Sequence, residues 1–343
     1  LGVHGTQEAP GEPVSCGTTA TVIDMANARR ADNATATLVP PASMLPTVLP
    51  NDRFNERGAP TQPWRDELHR ISNARNVLAV FSTLAQTFGV MVIAGVINTW
   101  WSYLLAFLLL ARGHVCLNIL AHESAHRLLF SKRRANDLCG RWLLGYPSFQ
   151  PTLAYRRSHF AHHRDEMGRD EPDLAMYSGY PIPRGSWHRK LRRDLLGITG
   201  YKRMKQLARA LLRGGVEAWE ILGVQVVMFG MSIAVGRPLV YVVWLASWMT
   251  LWQFSNRLRA IAEHGGMIRS RDRRETTHVV RQTLIARYLM VPYHTGWHLA
   301  HHVDMGVPWR HLPRLHNDLV DAGWITPEIT YPTYRALWRS ATR

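Results

Sequence analysis

The chain has 343 residues, 46% of them hydrophobic, with 41 Lys+Arg against 25 Asp+Glu and a formal net charge of +16. That composition excludes a disordered, collagen-like or disulfide-framework protein. The apolar residues gather in two blocks, Val77 to Leu120 and Val216 to Phe254, and the Arg residues flank them. The excess basic charge therefore reads as a membrane-surface signal and not as a nucleic-acid face.

Residues 1–70 are rich in Pro, Ala, Thr, Asn and Gly, have no sustained apolar period, and read as a disordered tail without a signal peptide. The chain opens on Leu, and Met25 and Met44 are candidate starts. Cys16, Cys116 and Cys139 lie far apart and form no C-x-x-C pair, so no disulfide framework is expected.

Residues 71–330 read as one membrane domain. Val77 to Ile97 carries no charge and is long enough to cross a hydrocarbon core of about 30 Å. Asn98-Thr99 makes a turn, Trp100, Trp101 and Tyr103 form an interfacial aromatic cluster, and a second span runs over 100–121. The second block splits alike, with spans over 216–235 and about 239–259 joined at Gly236-Arg237-Pro238. Nineteen Lys/Arg lie between His126 and Val216, which puts that loop and both termini in the cytoplasm. The fold class expected is an all-α membrane protein of four transmembrane helices in two hairpins, with a helical cytoplasmic cap. Residues 331–343 read as a C-terminal tail. Arg112 falls near mid-membrane, a costly place with no partner evident in the sequence.

Nine of the 17 histidines fall into a pattern: His122 and His126; His159, His162 and His163; His298, His301 and His302; and His264 after Glu263. Positions i, i+3 and i+4 share a helix face, so each cluster projects imidazoles towards one point. At about 1.5 Å per residue, His122 and His264 both come out beyond the same membrane face. Imidazole suits Fe, Zn, Cu and Ni, and nine ligands exceed the needs of one ion, which argues for two metals. His122-Glu123-Ser124-Ala125-His126 also matches H-E-x-x-H, the pattern of a membrane zinc metalloprotease with Glu123 as general base. His114 and His294 share helical stripes with the boxes. Depth for the first and nearby Pro292 for the second favour structural places for both.

The three boxes, in this order and with two hairpins between them, resemble the integral-membrane fatty acid desaturase family. Asp170-Glu171-Pro172-Asp173, Glu263-His264-Gly265 and Val307-Pro308-Trp309-Arg310-His311-Leu312-Pro313 extend the resemblance. It implies four transmembrane helices under a cytoplasmic cap, and a non-haem di-iron centre of two Fe held by the nine histidines. It also implies insertion of a double bond into an acyl chain with O2 and two electrons. The substrate implied is an acyl-lipid or acyl-thioester. A lipid or carotenoid hydroxylase or ketolase of the same superfamily is the alternative. The chain departs from the family pattern at Ala300, Met305 and Trp297, while the three-residue gap in the first box is of acyl-lipid type. No dinucleotide fingerprint, haem attachment or iron–sulfur cysteine set is present, so the electrons are expected from a partner such as ferredoxin, rubredoxin or a cytochrome b5 type protein. Phe107, Trp244, Trp248, Met249 and Trp252 are candidate lining residues for the acyl chain.

Overall fold

The computed structural model describes residues 37–343. These residues are mostly helical. After a short helix α1 (Trp64–Leu68) come α2 (Asn73–Ile97) and α3 (Trp100–Ala125). The break between the two long helices is local chemistry. Asn98 takes the left-handed conformation at φ 52° that ends a helix, and the Ser102 hydroxyl accepts the Thr99 N–H at 3.2 Å to start the next. At their crossing, a Cβ on Gly113 would stand 2.7 Å from Thr87 Cγ2, so only glycine lets the two helices approach this closely.

The chain then runs through α4 (Arg133–Leu138), a π-helical stretch Cys139–Gly145, α5 (Thr152–Arg164) and α6 (Leu174–Tyr177). Two basic helices, α7 (Arg184–Leu195) and α8 (Ile198–Leu212), lead to α9 (Val216–Ala234). From Pro238 three segments follow without a break: α10 (Pro238–Ser247), a π turn Trp248–Trp252 and α11 (Gln253–His264). Then come α12 (Leu284–Leu289), α13 (His298–Val303), α14 (Leu312–Asp321) and α15 (Tyr334–Ser340). Strands β1 (Val279–Val280) and β2 (Thr330–Tyr331) pair in parallel.

Helices α2, α3 and α9 are long and apolar enough to cross a membrane. Their outer faces are apolar and exposed, as at Leu78, Phe81, Ile93, Leu104, Leu108, Val226 and Met231, the pattern of surfaces that face lipid. The Pro238–His264 run is different. Its first half is apolar, and its second carries Gln253, Asn256, Arg257 and Arg259. Arg112 in α3 is paired with α12 and α2: Nε donates to the Tyr288 carbonyl at 3.0 Å and a guanidinium nitrogen to Gln86 at 3.0 Å. Its charge also lies 4.1 Å from the Tyr288 ring centre.

Among the described residues four buried apolar clusters form, two of them larger than the rest. One lies among the long helices, around Leu110, Leu117, Leu120, Leu144 and Trp244. The other gathers Phe54, Leu68, Leu299, Val307, Leu315, Leu319 and Trp324. The described chain differs from expectation at both ends. Residues 37–70, read as part of a disordered tail, bury Phe54 and Leu68, and the Pro46 carbonyl accepts from Arg274 at 3.0 Å. Residues 331–343 include the end of β2 and α15 (Tyr334–Ser340), whose Leu337 is fully buried in a further apolar cluster with Tyr180 and Ile261. Both segments pack through a few anchors spaced too widely to make a periodic sequence signal. The rest of the proposed tail, residues 1–36, lies outside the described residues.

Candidate metal centre

Four elements bring the nine histidines together. The last turn of α3 carries His122, and His126 follows as its C-cap. Helix α5 presents His159, His162 and His163 from one face. Its first turn is held by Glu217, whose carboxylate accepts the amides of Leu153 at 2.8 Å and Ala154 at 2.9 Å. His264 ends α11, and His298, His301 and His302 lie along α13.

The side chains sort into two adjoining clusters. His122, His126, His159, His163 and His301 offer ligand nitrogens that all lie within 4.8 Å of one another. His162, His264 and His302 form a second such group, and His298 joins it with its Nε2 at 3.1 Å from His264 Nε2 and 3.0 Å from His302 Nε2. The rings of His163 and His302 stack at 4.3 Å between the clusters.

Hydrogen bonding alone does not satisfy this arrangement. His163 Nε2 meets His159 Nε2 at 3.0 Å and His301 Nε2 at 3.1 Å. His298 Nε2 likewise meets two other Nε2 atoms. One ring nitrogen has either one proton or one lone pair and cannot serve two such neighbours. His126 Nε2 and His122 Nδ1 are buried with no hydrogen-bond partner at all. A metal resolves these conflicts. Two nitrogens bonded at right angles to one ion at about 2.0–2.1 Å stand about 3 Å apart. The donor set thus fits a pair of nitrogen-preferring ions.

The opposite ring nitrogens are fixed by the protein. His302 Nδ1 meets Glu166 at 2.5 Å, His162 Nδ1 meets Glu171 at 2.5 Å, and His264 Nδ1 meets the Thr276 carbonyl at 2.9 Å. Each contact fixes the tautomer and turns Nε2 inwards. Glu166 also takes an ion pair from Arg273 at 2.5 Å and a hydrogen bond from the Thr276 hydroxyl. Burial presses His159, His163, His264, His298, His301 and His302 well below the usual imidazole range, so they are neutral and able to ligate at pH 7. Burial and the nearby Arg156 bring His126 down to about 3. His162 goes the other way: burial opposes its charge, and the Glu171 carboxylate outweighs that and raises it.

The remaining histidines stand apart. His114 spends both ring nitrogens, on Ser148 Oγ at 2.8 Å and on the Trp244 carbonyl at 3.2 Å. His294 packs between Trp297 and Trp309, and His4 lies outside the described residues. Glu123 accepts the Trp309 amide at 2.8 Å and is not among the groups whose ligand atoms cluster with the histidines.

A cavity of about 860 Å³ opens onto His122, His159, His162, His264 and His298. Trp248 and Trp252 line it. Phe107, Trp244 and Met249, expected beside them, do not. Trp244 is fully buried, and its ring nitrogen donates to the Pro147 carbonyl at 3.2 Å. Sequence reasoning missed Arg203, Glu166 and the orienting role of Glu171. Glu171 lay in the quoted Asp170–Asp173 stretch, and Glu166 sits three residues after His163, so both had a local signal.

A family model described as fatty acid desaturase matches residues 98–335. The chain belongs to the fatty acid desaturase family. It is similar to the dihydrorhizobitoxine desaturase of Bradyrhizobium elkanii, at 25% identity over 237 residues, covering 62% of this chain and 66% of that relative. The match begins at the turn between α2 and α3 and includes all nine histidines of the two clusters. Membership of a desaturase family supports an oxidoreductase, and the three long apolar helices fit a membrane setting.

Proposed function

We propose that this desaturase-family protein is a membrane di-iron oxidoreductase that inserts a double bond into an acyl chain. The observation that carries the reading is the nine-imidazole arrangement, with ring nitrogens crowded at 3.0–3.1 Å in two adjoining clusters. His122, His126, His159, His163 and His301 would hold one iron, and His162, His264, His298 and His302 the other. The reaction is –CH2–CH2– + O2 + 2 e⁻ + 2 H⁺ → –CH=CH– + 2 H2O. Iron, when bound, supplies the oxidising power that an unactivated methylene requires and that zinc lacks.

The chain's own residues do the rest. Glu166, Glu171 and the Thr276 carbonyl hold the imidazole tautomers. The apolar lining of the cavity, including Phe149, Leu153, Met204, Leu207, Trp248 and Trp252, receives hydrocarbon and keeps water from it. The Pro238–His264 run serves as the fourth span, its polar half rising beyond the membrane to deliver His264 to a cytoplasmic cap. The electron donor is a separate protein such as ferredoxin, rubredoxin or a cytochrome b5 type protein, and the substrate is an acyl-lipid or acyl-thioester.

Lipid analysis of cells expressing wild type against His162→Ala tests the reading. A new unsaturated acyl species that disappears in the variant supports it. A hydroxy or keto product would move the chain to a hydroxylase or ketolase role.

A further inference from the structure

Helix α8 forms one wall of the histidine cavity. Arg203, Met204, Leu207 and Ala210 line it, while Lys202, Lys205 and Arg209 on the other face are exposed. The helix is pinned to the π turn next to it: a Cβ on Gly200 would stand 2.5 Å from the Met249 carbonyl oxygen, so backbone meets backbone there. This contact sets the guanidinium of Arg203 5.1 Å from the ring centre of Trp252, inside the cavity.

Arg203 has acidic neighbours in Asp173 and Asp194 but is paired directly with neither. Among the described residues it makes no hydrogen bond and no ion pair, whereas the cavity's other inward cation, Arg259, is held by Glu263 at 3.3 Å and Asn256 at 3.3 Å. Asp173 lines the same cavity and makes no ion pair with Arg203. Arg157 is exposed at the cavity mouth. Burial lowers the pKa of Arg203 by more than the Asp173 and Asp194 carboxylates raise it. A guanidinium that rests one face on an aromatic ring keeps its edge donors free. That planar fork matches a carboxylate or phosphate in bidentate fashion.

We infer that Arg203 docks an oxyanion borne by the substrate, a free carboxylate or a phosphate group, inside the cavity that holds the histidines. The inference rests on the proposed function for the identity of that cavity as the substrate site. Anchoring one end at Arg203 fixes which carbons reach the histidines, so the position of oxidation is counted from the anionic end. An acyl-lipid or acyl-thioester reaches this anchor through a phosphate of its head group, whereas a neutral ester without one loses it.

Equilibrium binding to the purified, iron-loaded protein in detergent tests the inference. The probes are palmitate, hexadecyl phosphate and methyl palmitate, with the change in intrinsic tryptophan fluorescence as the signal. Palmitate, hexadecyl phosphate or both should bind wild type at least about tenfold more tightly than the ester. The one that does so identifies the group. Arg203→Gln should abolish the preference and leave ester binding unchanged, and Arg203→Lys should keep part of it. Melting temperature and iron content of Arg203→Gln should match wild type, which separates docking from folding. Equal binding of the ester and both anions to wild type would overturn the inference. So would a preference that survives in Arg203→Gln. Absence of any unsaturated product, with the anion preference intact, would instead count against the proposed function.

Discussion

The Glu166 carboxylate stands between His302 Nδ1 at 2.5 Å and the Arg273 guanidinium at 2.5 Å. Burial raises its pKa, and the adjacent Arg273 opposes that rise. Glu166 is thus the residue that turns His302 while being held itself. Loss of such a partner typically reduces metal affinity or activity about 10–100-fold. Glu166→Ala should therefore release iron to a chelator at concentrations that leave wild type loaded, and Glu166→Gln should show a smaller loss. Wild-type retention in Glu166→Ala would remove this role.

The third box separates ligands from neighbours. His298 Nε2 lies within 3.1 Å of two other imidazole nitrogens, whereas His294 packs on tryptophans. His298→Ala should lose product and one cluster's metal. His294→Ala should keep both clusters loaded. An iron-poor His294→Ala beside an active His298→Ala would reverse the assignment.

Gly200 tests the packing that positions α8. A methyl there would meet the Met249 carbonyl oxygen at 2.5 Å and its Cα at 2.6 Å, while a Cβ on Gly223 in α9 meets nothing within 4 Å. Gly200→Ala should destabilise by about 1–3 kcal/mol through forced backbone shifts. Gly223→Ala, in mid-helix and open space, should be neutral or stabilising. Equal melting temperatures for the two variants would contradict the close approach.

His278 gives a pH dependence with a defined sign. It is buried, its Nε2 donates to the Gly265 carbonyl at 2.8 Å, and burial lowers its pKa to about 4. The unfolded chain, titrating near 6.5, binds more protons than the folded one between about pH 4 and 6.5. Stability from this group is complete above that window and falls as pH drops through it, by about 3 kcal/mol in the limit. Thermal melts from pH 7.5 to 5 should therefore show a shallower decline in His278→Asn than in wild type. Parallel declines would exclude His278 as a contributor.

Much of this was legible in the sequence because the informative patterns are local. The turn at Asn98-Thr99 was read from two polar residues between apolar runs, and α2 and α3 meet there. The histidine boxes were visible because the i, i+3, i+4 spacing survives in any helix. Pairings across the chain were not visible. Nothing near position 112 indicates Tyr288 and Gln86 as partners for Arg112, and nothing near Glu123 indicates the Trp309 amide. Residues 37–70 were misread because Phe54 and Leu68 are isolated apolar anchors in a Pro-rich stretch. Trp244, Trp248 and Trp252 looked alike in sequence, and only packing shows Trp244 buried on His114 while the other two line the cavity.

Metal content is the most direct measure of the central claim. Protein purified from membranes without added metal should carry about two Fe per chain. His159→Ala and His264→Ala, one from each cluster, should each fall below that value. One zinc per chain, or a single iron lost equally from variants of either cluster, would contradict a two-iron centre.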